Sequence, residues 1–466
     1  MKIGLVGGSY QEFSLPFNAE RSVNLYPVLD KTGKEVAALY GTPGKILFGT
    51  AGVGACRASF SSQNGRAFVV SGSTLYEVDN AGTATIRGSL NQSSGNVSID
   101  ENPTQLAICD GVTVYIFTYS SNLFAQVTSI NLPISGTICF IDGYFVVNKV
   151  DTGAFYISGL NDGTSWAALD FATAESSPDS LLRVYNALGQ LWLLGSTTSE
   201  IWSNTGNSQF PFQRISGAKL EVGILAPYTT VAVNSSIIWL GKDNFGLGSV
   251  YQATSTVPQK ISTQAIDLII QRATNQEDIV AYSYQEQGHV FYVLTGGGLE
   301  TSLVYDFETK FWHERAYLNP EGQFEPDRGY CYMFAFNKHI LGDRVNGKLY
   351  EMSMDYYSDA GEDILRERIY THLVDEGKRI RYNTLEIGFE TGVGLANGQG
   401  SNPQVSLRLS KDGARTWSTS YTTSIGRMGA YLTEVSFRRL GVARQMTFRI
   451  NISDQDKVAI CGSYLS

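Results

Sequence analysis

Charge is scarce in this chain of 466 residues: 17% are Asp, Glu, Lys or Arg, where an average soluble domain has about 25%. What charge there is leans acidic, with 44 Asp and Glu against 35 Lys and Arg and a formal net charge of −9. That balance argues against gripping nucleic acid, which needs a positive footprint, but it is compatible with DNA sliding past a repelling wall. Proline is rare, at 12 residues. Histidine is rarer: His289, His313, His339 and His372 make up all four. None lies three or four residues from another, so no local zinc pattern exists, and His289 and His339 read as packed or edge strand residues. The five cysteines, Cys56, Cys109, Cys139, Cys331 and Cys461, are odd in number, far apart and without a CxxC. They read as reduced, buried thiols of a protein made in the cytosol. No run approaches the ~18 apolar residues of a membrane span, and the apolar stretch Ile3–Gly8 is too short for a signal peptide. Stable membrane insertion is not expected.

Catalytic signatures are missing as well. There is no G-x-S-x-G elbow. Gly296-Gly297-Gly298 lacks the Lys-Ser/Thr of a phosphate loop, and Gly4-Leu5-Val6-Gly7-Gly8 lacks a strand–helix context. The acidic stretch Asp355–Asp363 fails EF-hand spacing, with Tyr357 at a ligand position and Ala360 where Gly is required; it reads as a solvated turn. No catalytic residue, cofactor or metal ligand is expected.

Aromatics and glycine are abundant, with 26 Tyr, 23 Phe and 48 Gly. Tyr and Phe favour pleated, half-buried strands, and Gly favours the turns between them. The two are organised into a drifting repeat: an apolar strand, a Gly/Asn/Asp/Ser turn, and a second strand near an aromatic. Ala67–Val70 with Thr74–Val78 is the first copy, and Leu106–Cys109 with Val112–Phe117 the second. Tyr144–Val147 with Ala154–Ile157, Leu191–Leu194 with Glu200–Trp202, and Ile237–Leu240 with Ser249–Tyr251 follow. The last two are Val290–Leu294 with Leu303–Tyr305 and His339–Leu341 with Lys348–Met352. The second strands recur at Leu75, Val114, Phe155, Ile201, Val250, Val304 and Leu349, at intervals of 39 to 54 residues. A period of roughly 40–50 residues marks a propeller, because a lone hairpin cannot bury its apolar face whereas leaves packed around an axis can. The fold class expected is all-β: a propeller of about seven blades with a C-terminal β-sandwich-like domain.

Residues 1–50 show turn chemistry and little periodicity, so they are expected to form an N-terminal arm; residues 51–365 then form the propeller and 366–466 the C-terminal β domain. Beyond residue 366 the strands lengthen and alternate, at Arg381–Phe389, Gln404–Leu409, Leu432–Arg438 and Arg444–Ile452. One helix is expected, where Ser262 or Thr263 caps a run with Ile266, Ile269 and Ile270 on one face.

The most specific short motif is Ser410-Lys411-Asp412-Gly413-Ala414-Arg415-Thr416-Trp417. It resembles the Asp-box of sialidases and other β-proteins, with Ala414 where Gly is usual. In that motif the Asp and Thr close a tight turn and the Trp packs beneath it. Ser410, Asp412, Thr416 and Trp417 are therefore assigned a folding role. A weaker echo lies at Asn161–Trp166.

A wider set of motifs carries a second resemblance. Leu160–Trp166 is followed by Leu169–Ser176, and Glu200-Ile201-Trp202 by Gly206-Asn207 and Phe210-Pro211-Phe212. Glu221-Val222-Gly223, Ala226-Pro227-Tyr228, Tyr284-Gln285-Glu286 and Phe311–Arg315 come next, then Glu376–Arg379, Gly398–Ser401 and Arg438–Gly441. Spanning Arg21 to Tyr464, these are similar to the packaged-DNA stabilisation proteins of short-tailed bacteriophages and prophages, also called tail nozzles, tail hubs or tail accessory factors. The resemblance implies a structural, non-enzymatic virion protein, assembled in the host cytoplasm into the virion tail as a homo-hexamer. It implies a ring below the head-to-tail adaptor that extends the DNA channel, a needle or plug that helps close it, and tailspikes or fibres around it. DNA would pass non-specifically through the lumen, past carboxylates that keep it from sticking. The alternative, motivated by the Asp-box and the aromatics, is a sialidase-like, carbohydrate-active or glycan-binding propeller. A WD40-type scaffold lacks its Trp-Asp and Gly-His signatures.

Overall fold

The computed structural model describes residues 2–466 apart from 31–35, 175–176, 243–245, 247, 371, 376 and 399. Glu175, Ser176, Glu376 and Gln399 of the motifs above, and much of the loop in the fifth hairpin, lie outside the described residues.

Seven antiparallel sheets form the blades of a propeller. Each hairpin read from the sequence is the middle pair of one blade. In blade one, Ala67–Ser71 and Thr74–Val78 lie between an inner strand, Cys56–Ser61, and an outer strand, Ala84–Ser89. Blades two, three and four repeat this order. In blade five, Gly223–Ile224 and Val231–Val233 share the inner position on Ser236–Lys242. Blade six runs from Ile279–Glu286 to Trp312–Leu318.

The middle strands are apolar because a neighbouring blade covers each face. The hydrophobic clusters show this directly, one at each junction between blades. Phe68, Val70 and Leu75 of blade one meet Leu106, Ile108 and Phe117 of blade two. Trp192 of blade four meets Trp239 of blade five, with ring centroids 6.3 Å apart. Burying one such large side chain contributes about 1.5–3 kcal/mol. The helix, Gln264–Arg272, fills the junction of blades five and six with Ile266 and Ile270; Thr263 caps it, its hydroxyl accepting the Ile266 N–H.

The ring closes between ends distant in sequence. Blade seven takes Gly329–Ala335, Lys338–Asp343 and Lys348–Ser353 from the late chain, and its fourth strand, Gly44–Thr50, from the N-terminal region. Lys45 fixes that strand with a buried ion pair to Asp327 at 2.5 Å and to Asp359 at 3.3 Å. Gly342 makes the seam with blade one possible: a Cβ there would lie 2.5 Å from Cys56 Cβ and 2.6 Å from Cys331 Sγ.

The N-terminal segment is therefore not an extended arm. Besides Gly44–Thr50, it contributes the hairpin Leu25–Leu29 and Ala37–Gly41 to a sheet completed by Ala459–Leu465, Ile380–Phe389 and Val435–Ala443. Leu25–Leu29 is the edge of that sheet, where Pro27 is tolerated because its missing N–H leaves no central ladder broken. The opposing sheet holds Arg366–Ile369, Gln445–Ile452, Gln404–Ser410 and Tyr421–Ser424. Leu25, Leu39, Leu385, Leu407, Phe437, Phe448 and Ile460 interleave between the two sheets as the sandwich core.

Two other expectations change. Cys56, Cys109 and Cys139 are buried thiols, but Cys331 and Cys461 are only partly covered. The acidic stretch Asp355–Asp363 is not simply solvated: Asp359 is buried against Lys45 and Arg328, and Arg328 also pairs with Glu362. Among the described residues no three His, Cys, Asp or Glu side chains gather as a metal site.

Candidate functional site: the joint between propeller and sandwich

One short strand, Arg21–Val23, carries the connection between the two domains. It pairs in parallel with blade six at Val23↔Glu314 and antiparallel with Arg366–Ile369 of the sandwich, merging both into one sheet of 11 strands. Asn24 completes the link. Held at φ 55°, it donates from its side-chain amide to the carbonyls of Ala316 and Leu365, and accepts from the Ala316 N–H.

Several charged side chains are buried at this joint. Glu314 is 2% exposed, Glu367 1% and Arg368 0%. Arg21 donates to Glu314 from Nε at 3.0 and 3.1 Å and from Nη2 at 2.6 Å, and Thr301 adds a hydroxyl at 2.7 Å. Burial alone would raise the Glu314 carboxyl; the Arg21 guanidinium outweighs it and holds the group below its ordinary range. Glu367 accepts from Arg449 Nε at 2.7 Å and Asn451 at 3.1 Å, with Arg21 also within 3.9 Å. Arg368 pairs with Glu20 and donates to the carbonyls of Leu5 at 2.7 Å and Gly8 at 2.9 Å. A buried ion that loses its partner leaves an uncompensated charge, so such a network locks one arrangement of the two domains.

The Asp-box turn sits beside this joint. Thr416 donates its hydroxyl to Asp412 at 2.6 Å, Ser410 donates at 2.7 Å, and the Arg415 and Thr416 N–H groups donate at 3.1 and 3.0 Å. These bonds, Thr416 foremost, pull the exposed Asp412 carboxyl well below its ordinary range. Trp417 packs with Ala414, Ala19, Leu15 and Ile369 under the Arg449 guanidinium. At Gly413, φ is 77° and a Cβ would meet Pro16 at 2.9 Å, so the turn closes on the N-terminal loop. His372 holds the same loop through Leu15 O at 2.6 Å. Asp412 and Thr416 thus serve their own turn, and that turn clasps the chain start. The echo at Asn161–Trp166 is built alike: Thr164 donates to Asp162 at 2.7 Å and buried Trp166 donates to Gly163 O at 2.8 Å.

Glu314 falls inside Phe311–Arg315 and Arg21 begins the span of motifs, but nothing local pairs residues 21 and 314. Only the third-strand position of Arg21–Val23, between two domains, brings them together.

The propeller and the sandwich share one continuous sheet crossed by buried ion pairs, the build of a two-domain all-β protein. The chain belongs to the Bacteriophage P22 Gp10 family: the family's β-propeller model matches residues 1–357 and its β-sandwich model matches residues 366–465. It is a phage virion stabilisation protein, structural in class. No curated protein matches it. Among solved structures it is similar to the computationally designed Ika8 protein, with TM-score 0.39 and 13% identity over 72% of this chain and 99% of that one. The extracellular domain of BT4673 from B. thetaiotaomicron gives TM-score 0.46 and 10% identity over 89% and 59%. The Cps50 (Swd1) β-propeller domain of Myceliophteria thermophila gives 0.42 and 8% over 66% and 99%.

Proposed function

We propose that the chain is the subunit of a hexameric tail nozzle that extends and closes the DNA channel below the head-to-tail adaptor, retains packaged DNA and guides its ejection. The observation that carries this reading is the match of one phage family over both domains. In the virion tail the ring contacts the adaptor above, a needle or plug within, and tailspikes or fibres around it. DNA passes non-specifically along a lumen whose carboxylates repel phosphate, consistent with the net charge of −9.

Three physical features support the reading. The joint resists shear between domains. The propeller ring is sealed by a strand from the far end of the sequence. One propeller face, bearing the middle hairpin turns and the crossovers between blades, exposes Val53 at 95%, Ile130 at 98%, Ile134 at 62% and Val345 at 70%. Exposed apolar side chains of this kind suit burial against another subunit. The test is negative-stain imaging of the full chain with and without the adaptor–portal complex. Sixfold rings that dock on the complex are expected; a monomer that ignores it overturns the proposal.

A further inference from the structure

Around the propeller axis lies a chamber of about 300 Å³ that is open to solvent. Its wall comes from the inner strands, and its charge is one-sided: Arg57 and Arg183 line it, with no Asp or Glu among the lining residues. In a chain with more acids than bases, that polarity is unexpected.

Arg57 is 6% exposed and, among the described residues, donates to backbone carbonyls: Gly95 at 2.6 Å, Gly72 at 2.9 Å, Gln92 at 2.7 Å and Ser94 at 2.6 Å. Those bonds fix the guanidinium without neutralising it. Arg183 lies over two rings, 4.9 Å from the Tyr228 centroid and 5.5 Å from Tyr185. Its Nε and Nη1 are buried without an acceptor among the described residues. The carboxylate of Asp100, whose field Arg183 also feels, accepts the N–H groups of Phe140 at 2.7 Å and Glu101 at 2.9 Å. Tyr228 and Asn96 line both this chamber and an adjoining space that is lined also by Asp110, Asp151, Glu277 and Asp278. The chamber is therefore lined by positive charge and the adjoining space by negative.

The geometry points to an oxyanion site in this chamber, with Arg183 as the ligand and Arg57 as a fixed second positive charge, taking a small tetrahedral anion of the phosphate or sulfate type. A guanidinium gives an anion's oxygen a charge-assisted N–H donor, and no Asp or Glu lines the chamber to compete for it, Asp100 and Asp110 standing behind the lining. The site is independent of the nozzle reading, since it lies within one protomer.

The test is titration of the full-length protein with inorganic phosphate by isothermal calorimetry, alongside thermal unfolding in phosphate and in sodium chloride of matched ionic strength. Saturable binding of one phosphate per chain, displaced by sulfate, with a rise in Tm that chloride does not reproduce, is expected. Arg183→Met should weaken that affinity by about tenfold or more. Ser283→Leu, which keeps both arginines and fills the chamber from blade six, should also lose it, and it serves if Arg183→Met does not fold. No difference between phosphate and chloride in the wild type, or an unchanged response in a folded variant, overturns the assignment.

Discussion

Arg21→Met is the sharpest perturbation of the joint. It removes three hydrogen bonds from Glu314, a carboxylate whose side chain is 3% exposed, and leaves it the hydroxyls of Thr301 and Ser9 without a countercharge from Arg21. Breaking a buried pair from one side costs about 3–5 kcal/mol. Because the Arg21 side chain is itself 20% exposed, the lower end applies, about 3 kcal/mol. Arg21→Met with Glu314→Met removes both charges and should recover much of this, giving a coupling of about 1–3 kcal/mol. Urea unfolding followed by fluorescence separates the domains, since Trp417 reports the sandwich while the other five of the six Trp lie in the propeller. In Arg21→Met the two transitions should no longer coincide. The pH dependence has a definite sign. The folded Glu314 carboxyl is depressed, so its contribution is full above the unfolded value, about 4.3, and is lost as pH falls through the folded one. Wild type and Arg21→Met should therefore converge in acid. A single variant within about 0.5 kcal/mol of wild type, or a double variant costing the sum of the singles, would refute the reasoning.

Two further substitutions probe the ring. Trp239→Ala empties the contact with Trp192 between blades four and five and should cost about 3–5 kcal/mol in urea unfolding; a loss below 1 kcal/mol would mean those blades do not pack as described. Gly342→Ala forces a methyl toward Cys56 and Cys331 at the closing seam, and should lower stability by about 1–3 kcal/mol while speeding alkylation of the buried Cys56 thiol. Unchanged labelling would place the weak point of the ring elsewhere.

The blades were legible where burial is two-sided. Ala67–Ser71 is buried at every position, so it reads as an apolar run whatever its neighbours. The outer strands carry no such mark: Leu123–Gln126 and Gln259–Lys260 are largely exposed, and backbone pairing rather than side-chain pattern places them. The Asp-box was legible because all its bonding partners lie within seven residues, Ser410 to Thr416. The joint was not, because Arg21 and Glu314 are 293 residues apart. The same cause hid the role of residues 1–50: Pro27, Pro43 and Gly44 look like loop, yet Ala37–Gly41 and Gly44–Thr50 are strands that pair with Ala459–Leu465 and Lys348–Ser353, far along the chain.

That threading constrains how the molecule forms. The first 50 residues pass in order through the joint, the sandwich sheet and the seventh blade. The sandwich sheet that includes Ala37–Gly41 also needs Ala459–Leu465, and the blade that includes Gly44–Thr50 also needs Lys348–Ser353. Neither domain can close until the segment that completes it has been made, and the sandwich closes last. Once closed, pulling the domains apart must strip Arg21–Val23 either from blade six, where Glu314 is buried, or from Arg366–Ile369, where Glu367 and Arg368 are buried. Either route takes a buried ion from its partner, which is costly, so one short strand with buried charges on both sides resists separation whichever side gives way.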